Sequence, residues 1–426
     1  MNRKKRICIV AVVGVFFILG SVMSLWAGDA DIINLLRQKN VITQEEADKM
    51  LEELHTKKQD EKKEIKKELT AEIKDDIKKD AATGEFLPPA LRGFKFGTTI
   101  FADWASTNKG GTPATNQFEL NRGYMTMTKD INDWLGVNVT ADITSSATAG
   151  QGWELRMKNA YANINLFGTT TQMGLIPTPS DTYDSAIWPY RVQGKNLLDL
   201  YSIQSSADFG VSIQGPIGGY MDDAYLAYAA KQFAGKWGGY FIEVSNGSGY
   251  TYAEANGNKV VSGLIYVRPL PTIPIANGLQ LAYNGTYGES NSKFASGDKN
   301  AFPDWQVNIV QASLQHEMFT LMYQYYWGEG VYGTATTSDE NNRNGYLVEG
   351  FVRVPMVEKL RVFGKCSHYN PNTSTGNDDQ TTYTGGLSYD VSKEFMPFIA
   401  YQQTKYQSSK DGTNYDEYQI GFQLKI

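Results

Sequence analysis

Seven basic residues stand where their charge could act on a passing solute. Arg122, Arg156, Lys158, Arg361 and Lys365 fall on the polar face of segments with a period of two, and Arg191 and Lys195 lie four residues apart in a long connection. The chemistry this suggests is electrostatic, because rings of Arg or Lys in a lined passage attract anions. The acids Asp103, Glu154, Glu349 and Asp390 fall on the same faces, so a plainer reading stays open: the charges pair across strands and keep an interior wet. Covalent chemistry has little support. A nucleophile needs an adjacent base, and the three histidines, His55, His316 and His368, have no partnered motif around them. There is no haem-attachment spacing, no zinc-ligand spacing and no phosphate-binding loop. We expect no enzymatic activity, no metal and no cofactor.

The elements that would carry these residues read as strands from Leu91 onward. Phe94, Phe96, Thr98, Ile100, Ala102 and Trp104 face one way, and Lys95, Gly97, Thr99, Phe101 and Asp103 the other. Similar segments, each about ten residues long as a tilted membrane-crossing strand requires, continue to the last residue. The composition, with 26 Tyr, 19 Phe, 8 Trp and 41 Gly, suits strands, interfacial aromatic girdles and turns. A soluble β-sandwich would place polar residues outside. Here the second face is apolar or aromatic, as in Leu321, Tyr323, Tyr325 and Trp327. The expected fold is therefore all-β, a transmembrane antiparallel β-barrel of about sixteen strands. A mean hydropathy of −0.39 is consistent with this, because such strands alternate and average to a polar value.

Connections alternate in length. Short turns are expected near Asp130–Trp134, Phe167–Thr170, Pro355–Lys359 and Ser392–Phe395. Long loops are expected near Ser106–Asn116, Glu289–Pro303, Val331–Asn344 and Tyr369–Gln380. Short turns belong to the periplasmic end and long loops to the exterior. Gly218–Lys236 fits the count poorly and reads as an insertion at a short-turn end, with two short extra strands as the other option. The stretch Pro179–Ser205 is the longest connection and the expected constriction, with Arg191 and Lys195 facing solute.

The chain begins with Arg3, Lys4, Lys5 and Arg6 and then runs apolar from Ile7 to Ala27, the pattern of a secretory signal. Cleavage after Ala27 is expected, with Ser24 and Ala30 as other sites and a retained membrane anchor as the competing reading. Cleavage at Ala27 leaves Cys366 as the lone cysteine, so no intramolecular disulfide can form. Residues 28–80 read as a periplasmic helical segment. Ile32, Ile33, Leu35 and Leu36 form one stripe, and Thr43 with Glu46 forms a capping box for a helix carrying Ala47, Met50, Leu51 and Leu54. From Glu52 to Asp80, 19 of 29 residues are charged, while Ile65, Leu69, Ile73 and Ile77 recur every four. That spacing suits either a coiled coil or a lone solvated helix. Residues 81–90 read as a linker and residues 91–426 as the barrel. An exported chain meets no DNA, so the helix pair is not read as a nucleic-acid reader.

Net charge leaves selectivity undecided. The whole chain carries −6; without the four basic residues of the signal it carries −10, of which −4 lies in residues 28–90. A basic constriction inside an acidic protein is compatible with that balance.

The chain ends in a strand with Tyr418, Ile420, Phe422, Leu424 and Ile426 on one face and Gly421 before Phe422. This resembles the terminal signal read by the outer-membrane barrel-assembly machinery, although Ile426 stands where Phe is usual. Phe118-Glu119-Leu120-Asn121-Arg122-Gly123-Tyr124, Gly174-Leu175-Ile176-Pro177-Thr178-Pro179, Trp188-Pro189-Tyr190-Arg191, Lys195 and Ser206-Ala207-Asp208-Phe209-Gly210-Val211 resemble the phosphate-selective porin family, porins O and P and their relatives. The leader turn Val41-Ile42-Thr43-Gln44-Glu45-Glu46 is similar to that group as well. The resemblance implies a sixteen-stranded, usually trimeric pore in the outer membrane, with a folded-in third loop, passing small polar or anionic solutes such as phosphate. Two other roles stay in view: a barrel sheathing a separate multihaem cytochrome, and an envelope tether acting through the helical segment.

Overall fold

The computed structural model describes residues 33, 37, 41–53, 56–57, 92–145, 152–229, 231–293, 302–332, 340–408 and 412–426. The chain divides into two compact units, residues 1–93 and Phe94–Ile426. In the first unit, Ile33 and Arg37 are helical and helix α1 covers residues 44–53. Its N-terminus carries the reciprocal bonds that the Thr43/Glu46 spacing suggests. The Glu46 carboxylate accepts from the Thr43 amide at 2.8 Å, and the Thr43 hydroxyl accepts from the Glu46 amide at 3.3 Å. Ala47 is buried and Met50 is exposed, so Met50 is not on the covered face. The signal segment 1–27, the charged helix beyond residue 57 with its isoleucine stripe, and the linker 81–90 lie outside the described residues.

The second unit is a closed barrel of sixteen antiparallel strands. In chain order these are β1 (Phe94–Lys109), β2 (Thr112–Asp130), β3 (Leu135–Ser145), β4 (Trp153–Leu166), β5 (Thr169–Pro177), β6 (Ala207–Ile217), β7 (Gly238–Ser245) and β8 (Val260–Val267), followed by β9 (Leu279–Glu289), β10 (Asp304–His316), β11 (Phe319–Glu329), β12 (Asn342–Val354), β13 (Val357–Asn370), β14 (Gln380–Tyr389), β15 (Phe395–Tyr406) and β16 (Tyr415–Lys425). Each strand pairs with its sequence neighbours, and β1 closes on β16 from Thr99↔Lys425 to Lys109↔Tyr415. Ile426 extends this ladder, exchanging backbone bonds with Thr98 at 2.8 and 2.9 Å. Closure leaves no unpaired edge, which is what lets a sheet cross hydrocarbon. Gly421 sits in the seam, where a Cβ would come within 2.6 Å of the Ala102 carbonyl oxygen. Only glycine fits that approach.

Alternation sets the two faces. On β11, Leu321, Tyr323 and Trp327 are exposed while Met322 and Tyr326 are buried. On β16, Tyr418 and Ile420 point out and Gln419 and Gln423 point in. The turns at 131–134, 167–168, 355–356 and 390–394 are short, and all lie at one end of the barrel. The expected loop Ser106–Asn116 is corrected: β1 runs to Lys109, β2 starts at Thr112, and the connection is Gly110–Gly111 alone. Both glycines have positive φ, 55° and 83°, as a two-residue hairpin turn needs. The polar run there is strand with polar residues on both faces, which is why its composition reads as loop.

The insertion at 218–237 joins β6 to β7 at the short-turn end. It forms helix α2 (Asp223–Leu226), a 3₁₀ turn at Lys231–Phe233 and a single bridge between Tyr220 and Gly235, so it holds no extra strand pair. Arg268 fastens it. This arginine is fully buried, and its guanidinium donates to the carbonyl oxygens of Phe233, Gly235 and Asn277 and to the Tyr225 hydroxyl.

Candidate functional site

The connection from β5 to β6 folds into the barrel and crosses it. It opens with helix α3 (Pro179–Ile187), where proline takes the first turn because its missing amide has no partner to lose there. It continues through helix α4 (Leu197–Leu200), capped by the Asn196 side chain, which accepts from the Asp199 amide at 3.1 Å. The loop is fastened to walls far apart in sequence. The Tyr183 hydroxyl donates to Gln280 on β9, Gln324 on β11 donates to Asp184, and Tyr190 shares a hydrogen bond with Ser388 on β14. Tyr190 also stacks on Phe363 at 4.4 Å, and Tyr201 on Tyr369 at 4.2 Å. Each aromatic pair adds about 0.5–1.5 kcal/mol beyond area burial. From the other side, Phe233 of the insertion packs edge-on against Tyr183 at 4.8 Å. Part of the lumen is therefore a packed aromatic core, which the sequence reading did not foresee.

The charges converge on Asp199. Arg191 lies 3.1 Å from it and 3.3 Å from Asp181, Lys195 lies 3.4 Å away, and Arg122 3.9 Å. This corrects the expectation for Arg191, whose side chain is 8% exposed and tied to two acids, while that of Lys195 is 50% exposed. Arg191 holds the loop's shape and Lys195 meets solvent. On the adjoining wall, Arg156 pairs with Asp142 at 2.7 Å and donates to the Tyr250 hydroxyl at 3.2 Å. Lys158 donates to Ser206 at 2.6 Å and lies over the rings of Tyr124 and Tyr250. Five of the seven singled-out cations thus gather beside one side of the loop.

The other two are placed differently. Arg361 pairs with Asp390, which Arg353 also reaches at 3.0 Å. Lys365 is buried, 3.8 Å from Glu349, and donates to the Lys195 carbonyl at 2.6 Å. It secures the loop. Sequence reasoning missed Asp181, Asp199, Tyr124 and Tyr250. Only the Lys195/Asp199 spacing, one helical turn apart, offered a signal. Among the described residues no group of three or more His, Cys, Asp or Glu side chains is placed to hold a metal.

Two loop acids have displaced titrations. Asp184 is pushed well above the usual carboxylate range by burial, helped by nearby Glu349 and Asp181. Burial would also raise Asp199, but Lys195, Arg191 and Arg122 outweigh it and leave its carboxyl below the ordinary value. Because the folded value is depressed, this ion-pair contribution is full above the unfolded carboxylate pKa and is lost as pH falls through the folded one. The parent chain should shift towards anions only in acid, and Asp199→Asn should show that shift already at neutral pH. Reversal potentials of both proteins across a pH series test this, and an identical acid-range shift in the variant would exclude Asp199 as its source.

The fold is that of the bacterial porins. The anion-selective porin from Comamonas acidovorans superposes with TM-score 0.54 at 11% identity, covering 78% of this chain and 99% of its own. OmpF of Salmonella typhi, in complex with daunomycin, gives 0.54 at 11%, covering 78% and 97%. The in-vitro folded OmpT of Vibrio cholerae, in its trimer form, gives 0.50 at 10%, covering 78% and 99%. At such identity the likeness is one of fold. No family profile matches the chain, and no curated protein matches it by sequence.

Proposed function

We propose that this chain is an outer-membrane porin, a water-filled channel for passive diffusion of small polar solutes with a preference for anions, phosphate among them. The observation that carries the reading is the gathering of Arg122, Arg156, Lys158, Arg191 and Lys195 beside a loop that crosses the lumen. Charges at a constriction act where low-dielectric walls focus the field, so a few cations there outweigh many acids on the rim. The porin fold, the exposed apolar band on the strands and the short turns at a single end support this placement, with that end periplasmic. The terminal strand, from Tyr418 through Gly421, Phe422 and Leu424 to Ile426, would be the segment read by the assembly machinery. A homotrimer is proposed because the Vibrio cholerae neighbour is described in a trimer form.

The cytochrome-sheath reading is disfavoured, since a lumen crossed by a loop fastened to β9, β11 and β14 has no free bore for a second folded protein. Planar-bilayer recording of the purified chain with ion substitution tests the channel. Stepwise conductance with a reversal potential on the anion side, reduced by added phosphate, is expected. A chain that inserts without conducting would remove the proposal, and cation preference would remove its anionic part.

A further inference from the structure

A second site with the opposite charge lies at the base of the lumen loop. It is a cavity of about 10 Å³, bordered by Thr178, Ser205, Asp208, Glu243, Ser245 and Ser262. One water-sized occupant needs about that much room. Glu243, on the inner face of β7, is 1% exposed, and neither oxygen of its carboxylate has a hydrogen bond of good geometry, the Ser245 hydroxyl acting on it only weakly from beside it. Asp208, 4% exposed, accepts from the amides of Gly247 at 2.6 Å and Phe209 at 2.7 Å. No lysine, arginine or histidine borders the cavity. Two buried carboxylates without a counter-charge are costly, several kcal/mol per ion.

We propose that this cavity binds one dehydrated hard divalent cation of the calcium type, with Glu243 as its main ligand, Asp208 as the second carboxylate and hydroxyls completing the shell. The donors decide the class of ion. Carboxylates and hydroxyls are oxygen ligands, which calcium accepts in a flexible arrangement, and the thiolates and imidazoles that zinc or copper favour are absent from the lining. Two carboxylates also balance one divalent charge. A lone water is the rival occupant, because Trp305 borders the cavity and its indole Nε1 has no partner. Water leaves the acids uncompensated and so requires a protonated Glu243. The cation has a structural consequence: Thr178 and Ser205, which join the two limbs of the lumen loop through a 3.1 Å hydrogen bond, would be held to the wall at β7 and β8.

The test uses the full chain in detergent, stripped with a chelator and re-equilibrated with calcium in excess sodium chloride. Equilibrium dialysis with radioactive calcium should show saturable binding of about one ion per chain, and thermal scans should show a higher unfolding midpoint with calcium. Glu243→Gln, checked for folding by heat-modifiable gel migration, should lose both effects. If that variant fails to fold, Ser245→Ala should weaken binding about tenfold, the lower end of the cost of losing a group that orients a metal ligand. Absence of saturable binding in the parent chain, or equal affinity in parent and variant, would overturn the proposal.

Discussion

Arg156→Glu together with Lys195→Glu should move the reversal potential strongly towards cations, changing the anion-to-cation permeability ratio about tenfold. The magnitude follows from Coulomb's law. An ion passing ~8 Å away gains or loses about 0.5 kcal/mol per unit charge in water, and the two substitutions change the wall by four units. The resulting ~2 kcal/mol acts with opposite sign on anion and cation, and screening over about one Debye length cuts it to roughly a third, which leaves ~1.5 kcal/mol, or about tenfold, in the ratio. These two residues are chosen because their side chains are 39% and 50% exposed, so they meet solute. The acids introduced at 156 and 195 face Asp142 and Asp199 but can turn to water, whereas Arg191→Glu would enclose a third acid against Asp181 and Asp199 and disrupt the loop itself. Bi-ionic reversal potentials provide the readout. An unchanged ratio would show that this side of the lumen does not filter ions and would direct attention to Arg361 and Lys365.

Arg268→Ala should release the insertion at 218–237, with a loss of about 3–5 kcal/mol, because several buried neutral acceptors are left unsatisfied at roughly 1–3 kcal/mol each. Three backbone carbonyls and the Tyr225 hydroxyl lose their donor at once, and the arginine's contact with the Tyr225 ring at 4.6 Å is lost as well. The effect should spread, because Phe233 packs against Tyr183 and Tyr183 is one of the loop's fastenings. We expect protease cleavage within 218–237 and noisier single-channel currents in a barrel that still migrates as folded. Arg268→Lys should rescue little, since one compact ammonium cannot reach acceptors arranged around a planar fork. Resistance to protease equal to the parent's would refute this role for Arg268.

Much of the barrel was legible because lipid on one side and water on the other impose a period of two on every strand. That constraint assigned Arg156, Lys158, Arg361 and Lys365 to the inner face and Leu321, Tyr323 and Trp327 to the outer one. It failed between Ser106 and Asn116, where both faces of the hairpin are polar and polarity ceases to distinguish strand from loop. The packed core inside the lumen had a trace in the sequence. Phe101 and Phe363 lie among polar inward residues, and both are buried in the core that the loop completes. Apolar residues on a polar face mark where something lands, but the pattern does not say what.

The sequence by itself determined the barrel, the alternation of its faces and the place of the long connection Pro179–Ser205, because these depend on periodicity and turn chemistry, which are local; that this connection folds inward was implied by the family resemblance alone. Only the tertiary structure decided which charges are open to solute. Arg191 and Lys195 look equivalent at four residues' spacing, yet one is enclosed by Asp181 and Asp199 and the other faces the lumen. The difference lies in how a loop folds back across walls as distant in sequence as β9 and β14, and the free energy of a charge depends on the neighbours and the water that this folding leaves around it.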